Sequence, residues 1–193
     1  MSQFYLRPLK KSDAERMLSW MKDSAVTQYL FLDGNSKTIA DMWKFIADAE
    51  DETRHLHRAI SSEDGQYYGT VSLKNIDHEN REAEFAITLH PEAMGSGAAQ
   101  TASREILRIA FTQLKLTRVY LNVIEKNIRA VRLYEGLGFC YKYTTQICFK
   151  GNNAENLRWY EIDSDRIFNR EDMIDLDART RRPNRRIPAP SGR

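Results

Sequence analysis

The sequence predicts a mixed α/β protein of the α+β kind. Its central sheet is mostly antiparallel, the fourth and fifth strands forming one parallel pair, with helices on its flanks. Three observations predict it. Two consecutive short connections join three alternating apolar segments between His57 and Leu89, which is the signature of an antiparallel meander. A strand over Glu82 to Leu89, a long amphipathic helix and a strand over Arg118 to Ile124 then follow one another, and a crossover of that length is right-handed and sets its two strands parallel. Between the first of those strands and the helix, the apolar period switches from 2 to 3.6 across the bare turn Met94-Gly95-Ser96-Gly97-Ala98-Ala99.

Phe4 to Leu9 alternates and is closed by Pro8 and two lysines, so it is the first strand. Ser12-Asp13-Ala14-Glu15 reads as a capping box, followed by Met17, Leu18 and Met21 at helical spacing. Asp23 to Ser36 mixes the apolar Val26, Tyr29, Leu30, Phe31 and Leu32 with the turn Asp33-Gly34-Asn35-Ser36. Its aromatic residues suit a substrate lip, with Tyr29, Phe31 and Asp33 as candidate contacts, although plain packing is the commoner reason for such residues. A second helix starts at Ser36 or Thr38 and runs to Ala49, with Ile39, Met42, Trp43 and Ile46 on one stripe.

His57 to Ile60 is a strand, Glu63-Asp64-Gly65-Gln66 a hairpin turn, and Tyr67 to Ile76 the returning strand. The turn Asp77-His78-Glu79-Asn80 leads into Glu82 to Leu89, which Pro91 stops. The helix after the bare turn carries Ala99, Ala102, Ile106 and Ala110 on one stripe, widened by Leu107, Phe111 and Leu114. Asn127 to Gly136 is a further helix, with Ile128, Val131 and Tyr134 on one side and Gly136 or Gly138 ending it. Phe139 to Phe149 and Asn156 to Asp163 pair around the turn Gly151-Asn152-Asn153.

The chain divides into a domain over residues 1–163, an acidic extension over 164–177 that could dock as a helix, and an Arg/Pro-rich tail over 178–193 expected to be disordered. The net charge of +2 is concentrated in that tail, which carries six arginines and no acid. Removing those six charges leaves −4 for Met1 to Asp177, a poor balance for a nucleic-acid surface. No apolar run approaches the roughly 20 residues that span a bilayer, and the N-terminal stretch lacks a signal-peptide core, so no membrane partner and a cytoplasmic address are expected. Cys140 and Cys148 share one extended segment and stand about 26 Å apart at ~3.3 Å per residue, beyond disulfide reach.

There is no CxxC, HExxH, GxSxG or GxxxxGK[ST] pattern, no histidine has metal-ligand spacing, and no metal site is expected. What remains is the bare turn at a helix start. Unpaired N–H groups and the positive end of a helix dipole make it an anion site, best suited to a phosphate or pyrophosphate.

Taken with NIRAVRLYEGLGF over Asn127 to Phe139, that turn resembles the GNAT superfamily of acyl-CoA N-acyltransferases. The likeness is to its spermidine and ribosomal-protein-alanine acetyltransferase branch, and it covers most of Tyr5 to Phe139. The resemblance implies a GNAT fold and an N-acetyltransferase that uses acetyl-CoA as co-substrate and transfers its acyl group by direct attack of a primary amine in a ternary complex. The amine would belong to a polyamine-like molecule, a protein N-terminus or an amino-sugar nucleotide; a homodimer is left open. A non-catalytic acyl-CoA sensor would look the same at the level of fold.

The family's loop pattern Q/R-x-x-G-x-G/A aligns as Met94, Gly97 and Ala99, so Met94 replaces a long polar side chain. The resemblance further implies that the loop Met94 to Ala99 holds the pyrophosphate and that the pantetheine arm lies along Ile87, Thr88 and Leu89. It also makes Asn127 a cofactor contact besides a helix cap, and Tyr134 the acid that protonates the leaving thiolate. Tyr134 read alone would be an amphipathic core residue. Glu84, on a strand whose neighbours Phe85, Ala86 and Ile87 are expected to be buried, is the candidate base; an ordinary exposed acid is the alternative.

Overall fold

Residues 4–31, 33–149 and 153–165 are described by a computed structural model of the chain. Seven strands form one sheet: β1 (Tyr5–Arg7), β2 (Leu56–Ser61), β3 (Tyr67–Asp77), β4 (Glu82–Leu89), β5 (Arg118–Ile124), β6 (Cys140–Phe149) and β7 (Asn153–Asp163). Their spatial order is β1-β2-β3-β4-β5-β7-β6, antiparallel everywhere except between β4 and β5. The helices are α1 (Ala14–Met21), α2 (Ser24–Thr27), α3 (Ile39–Asp48), α4 (Ala98–Arg108) and α5 (Ile128–Leu137). The meander and the parallel crossover are both as the sequence predicts.

Two apolar clusters sandwich the sheet. One gathers Ile106 and Leu107 of α4 and Val131 of α5 against Val71, Leu73, Phe85, Val119 and Leu121. The other gathers Met17 and Trp20 of α1 and Met42 and Ile46 of α3 against Ala59 and Tyr67. Each large side chain so buried stabilises the fold by roughly 1.5–3 kcal/mol. Both cysteines lie on β6.

Several boundaries differ from expectation for local reasons. β1 stops at Arg7 because Pro8 offers no N–H to the ladder. Ser12 does not cap α1: a 3-10 turn over Lys11–Asp13 precedes the helix, and the Asp13 carboxylate accepts the Lys10 N–H at 2.8 Å and both ends of the Arg7 guanidinium at 2.8 and 2.7 Å. A serine hydroxyl cannot bind both a main-chain donor and a planar cation in this way. α3 does start at a capping box, with the Thr38 hydroxyl and the Asp41 carboxylate bonded reciprocally to main-chain N–H groups.

The long helix leaves α geometry after Arg108 and finishes as a π segment over Ile109–Gln113. The Leu114 N–H reaches back five residues to Ile109, while the Thr112 hydroxyl takes the Arg108 carbonyl at 2.7 Å. α2 was not anticipated and is capped by Asp23, whose carboxylate accepts the Ala25 N–H at 2.8 Å. The expected turn at Gly151-Asn152 and the extension and tail from residue 166 onward lie outside the described residues.

Candidate active site

β4 and β5 are joined by three rungs only: Glu82 opposite Arg118, Ala83 opposite Val119, and Glu84 opposite Tyr120. On its other side β4 stays paired to β3 as far as Leu89 opposite Gly69. β5 meanwhile stays with β7 out to Ile124 opposite Leu157. The two strands therefore splay, and a cleft of about 720 Å³ opens between them.

Strand alternation decides which main-chain groups face that cleft. The His90 N–H donates to the Tyr68 carbonyl at 2.7 Å, and the Thr88 carbonyl lies so close to Gly69 that a Cβ there would meet it at 2.2 Å. Thr88 and the positions in phase with it thus direct their main-chain groups at β3. Phe85, Ile87 and Leu89 direct theirs into the gap, where no strand answers them. An extended ligand could bond there as an added strand does.

The expected cofactor loop closes one end of the cleft. Gly95 and Gly97 take φ of +83° and +88°, a region that side chains strain to adopt, and Gly97 is the N-cap of α4. Met94, Gly95, Gly97 and Ala99 line the cleft. Ser96 and Ala98 do not: the Ser96 hydroxyl donates to the Ala93 carbonyl at 2.7 Å and accepts the Ala98 N–H at 3.3 Å, and Ala98 is buried beneath. Those two residues shape the loop from behind. Thr101 is the first α4 residue whose N–H finds a main-chain acceptor, the Gly97 carbonyl at 3.0 Å, among the described residues.

Tyr134 stands on α5 across the cleft from β4, 7% exposed, with edge contacts to Phe85 and Phe139 at 5.9 and 6.0 Å between ring centroids. Its hydroxyl has no hydrogen-bond partner among the described residues, and burial pushes its pKa up to about 12. Such a group stays a phenol at every working pH and has an O–H to give. Asn127 caps α5, its side chain accepting the Ala130 N–H at 3.3 Å, and also lines the cleft.

At the opposite end Tyr29 and Phe31 line the cleft, and Phe31 leans edge-on against Phe149 at 4.8 Å. Asp33 is not brought to this site; it lines a neighbouring cavity of about 550 Å³ that shares Phe31. Glu84 is in the cleft, yet its carboxylate accepts from Lys74 Nζ at 2.7 Å and Asn75 Nδ2 at 3.0 Å. Glu82 is held by Arg118, whose Nε donates to it at 2.9 Å. Asp33, Glu82 and Glu84 are thus dispersed, each held by different neighbours, and do not form one carboxylate-lined pocket.

Sequence reasoning also missed Lys74, Asn122 and Arg129, which line the cleft. Lys74 was legible in principle, since a meander sets it directly across from Glu84. Arg129 had a signal too: it falls two residues after the Asn127 cap, on the turn of α5 that faces the loop. No group of three or more His, Cys, Asp or Glu among the described residues is arranged to hold a metal, and no helix there is long and apolar enough to cross a membrane.

The chain matches the acetyltransferase (GNAT) domain family over residues 3–140 and belongs to it. It is 32% identical to the spermidine N(1)-acetyltransferase of Escherichia coli strain K12 over 139 residues, covering 69% of this chain and 71% of that protein. The spermidine N(1)-acetyltransferase of Vibrio cholerae is likewise 32% identical, over 145 residues that cover 72% of this chain and 79% of the relative. The fold is shared with the crystal structure of spermidine N-acetyltransferase from Vibrio cholerae in complex with CoA and spermine, at a TM-score of 0.79 and 24% identity, covering 86% of this chain and 99% of that one. The protein is accordingly an acetyl-CoA-dependent N-acetyltransferase that acts on an amine.

Proposed function

We propose that the cleft between β4 and β5 holds the pantetheine arm of acetyl-CoA along Ile87, Thr88 and Leu89, with the pyrophosphate at the loop Met94 to Ala99. The observation that carries this reading is the set of unanswered main-chain groups at Phe85, Ile87 and Leu89, flanked by a helix N-terminus at one end and Tyr134 at its side. A cleft-facing N–H near Leu89 polarises the thioester carbonyl. The neutral amine attacks the carbonyl carbon; the C–N bond forms and the C–S bond breaks. Tyr134 donates its O–H to the departing sulfur and recovers a proton from the amine nitrogen, while the ammonium's first proton leaves through water toward Glu84.

The relatives' names support a polyamine as the acceptor. A second reading, a single amine such as a peptide N-terminus, is favoured by one observation. Glu84 is the only acid among the described cleft-lining residues, and Lys74 already pairs with it. A polycation would find little surplus negative charge there.

The test is a panel of polyamines, N-terminal peptides and amino sugars incubated with acetyl-CoA, following thiol release and the mass of the product. Acetylation of one class with thiol release is expected. Tight acetyl-CoA binding without thiol release from any of them would overturn the enzymatic assignment of the cleft and favour an acyl-CoA sensor.

A further inference from the structure

The loop Met94 to Ala99 brings no charged side chain to the anion it is built for. Its first residue instead meets a cation from another element: Arg129, in the first turn of α5, donates Nη1–H to Met94 Sδ at 3.0 Å. The same guanidinium lies over Gly95, where an added Cβ would come within 3.8 Å of Nη2. Arg129 thus spans the cleft mouth from α5 to the turn that starts α4.

The position is electrostatically poor for a cation in the free protein. α5 and α4 both direct the positive ends of their dipoles toward this mouth, and a cation in the first turn of a helix is disfavoured. Arg129 forms no ion pair with a described residue, and a thioether sulfur is a weak acceptor for a group that carries five N–H donors. A planar fork of unused donors between two helix starts is complementary to a phosphate group, which would neutralise all three positive features together.

We propose that Arg129 is the phosphate-binding side chain of this protein: it supplies from α5 the cation missing from the loop at Met94 and clasps the diphosphate of CoA against the α4 N-terminus. This rests on the assignment of the cleft to acetyl-CoA. Arg129 is a binding residue here and touches neither the thioester nor the amine. Met94 acts as its rest, holding the guanidinium over Gly95 until the phosphate replaces the sulfur.

The test is calorimetric titration of CoA and of dephospho-CoA, which lacks the 3′-phosphate, into the full chain and its Arg129→Met and Arg129→Lys variants, together with the ligand-free thermal midpoint of each. Arg129→Met should weaken both ligands by about 10- to 100-fold, the loss of a charge-assisted hydrogen-bond pair. Arg129→Lys should fall between, because it keeps the charge and loses the fork. The ligand-free midpoint of Arg129→Met should equal or exceed the parent's, since a cation is removed from between two helix N-termini; a merely structural arginine would lower it.

CoA affinity unchanged in Arg129→Met overturns the proposal, as does a loss of affinity that tracks a lower midpoint. Loss for CoA with none for dephospho-CoA overturns the diphosphate assignment in favour of the 3′-phosphate. Failure of the parent chain to bind CoA at all would instead refute the cleft assignment on which the proposal stands.

Discussion

The two halves of β4 differ in what surrounds them. Glu82 and Glu84 have partners on both β3 and β5, and the fully buried Ala83 between them pairs with β5; Phe85 to Leu89 keep a strand on one side only. The first half is sheet with a strand on either side. The second half keeps alternate main-chain groups in reserve, which is costly inside a protein unless a ligand or water takes them up. One strand therefore serves stability at its start and binding at its end. Substitutions in the two regions should separate into effects on unfolding and effects on turnover.

The largest effect is expected on the open side. Tyr134→Phe keeps the ring packed against Phe85 and Phe139 and removes only the donor, so kcat should fall by about 100-fold or more while CoA affinity stays within about twofold, measured by steady-state kinetics and calorimetry. An undiminished kcat would remove Tyr134 from the chemistry. Next is Gly69→Ala, which acts on the one strand that still supports the open half. The new methyl would meet the Thr88 carbonyl at 2.2 Å and the Leu89 Cα at 3.0 Å, so β3 and β4 must part. Denaturant unfolding should register a loss of about 2–3 kcal/mol, and CoA binding should weaken with it. Retained stability would mean that β4 tolerates displacement there.

Glu84 sits at the last rung before the split and tests the boundary itself. Glu84→Gln should lower kcat/KM by about tenfold near neutral pH, with recovery as the pH rises and the amine deprotonates unaided. A loss of thermal stability with unchanged kinetics would assign Glu84 to the Lys74 pair alone.

The smallest effects are in pH and stability. His57, on β2 and two strands away from β4, is depressed to about 4 chiefly by burial, so the folded state favours its neutral form. Its contribution is present above about 6.5 and is lost as pH falls from there toward 4. Tyr134 is raised from 10.0 to about 12, so its contribution is present below 10 and is lost as pH rises toward 12. Thermal midpoints should drop in both windows, the acid one shrinking in His57→Phe and the alkaline one in Tyr134→Phe.

Most of the architecture was legible because it is local. β5 occupies the residues its β-branched run marks out, and Asn127 caps α5. The bare turn before α4 holds its two glycines at positive φ. What sequence could not give was the extent of pairing: nothing in Glu82 to Leu89 says that the parallel ladder ends after its third rung, since that depends on β5 following β7 instead. Side-chain partnerships across elements were similarly hidden. Asp13 reads as part of a Ser12 capping box until Arg7 folds onto it, and Glu84 reads as a free acid until Lys74 faces it. Met94 reads as a defect in its loop until Arg129 arrives from 35 residues away.

The first rung of the parallel ladder is pinned by Arg118, which bonds Glu82 on β4 and Glu161 on β7 across three strands, and the split follows two rungs later. That pin gives the cleft a parity. Because successive residues of a strand present their main-chain groups to opposite edges, moving the split by one rung, through an insertion or deletion upstream in β4, would exchange the reserved set for the set already committed to β3. A shift of two rungs would only lengthen or shorten the jaw. Natural or designed variation in ligand reach at this cleft should consequently come in steps of two residues, with odd-numbered changes null in acyl transfer and destabilising as well, because they also turn Ala83 and Phe85 out of the core.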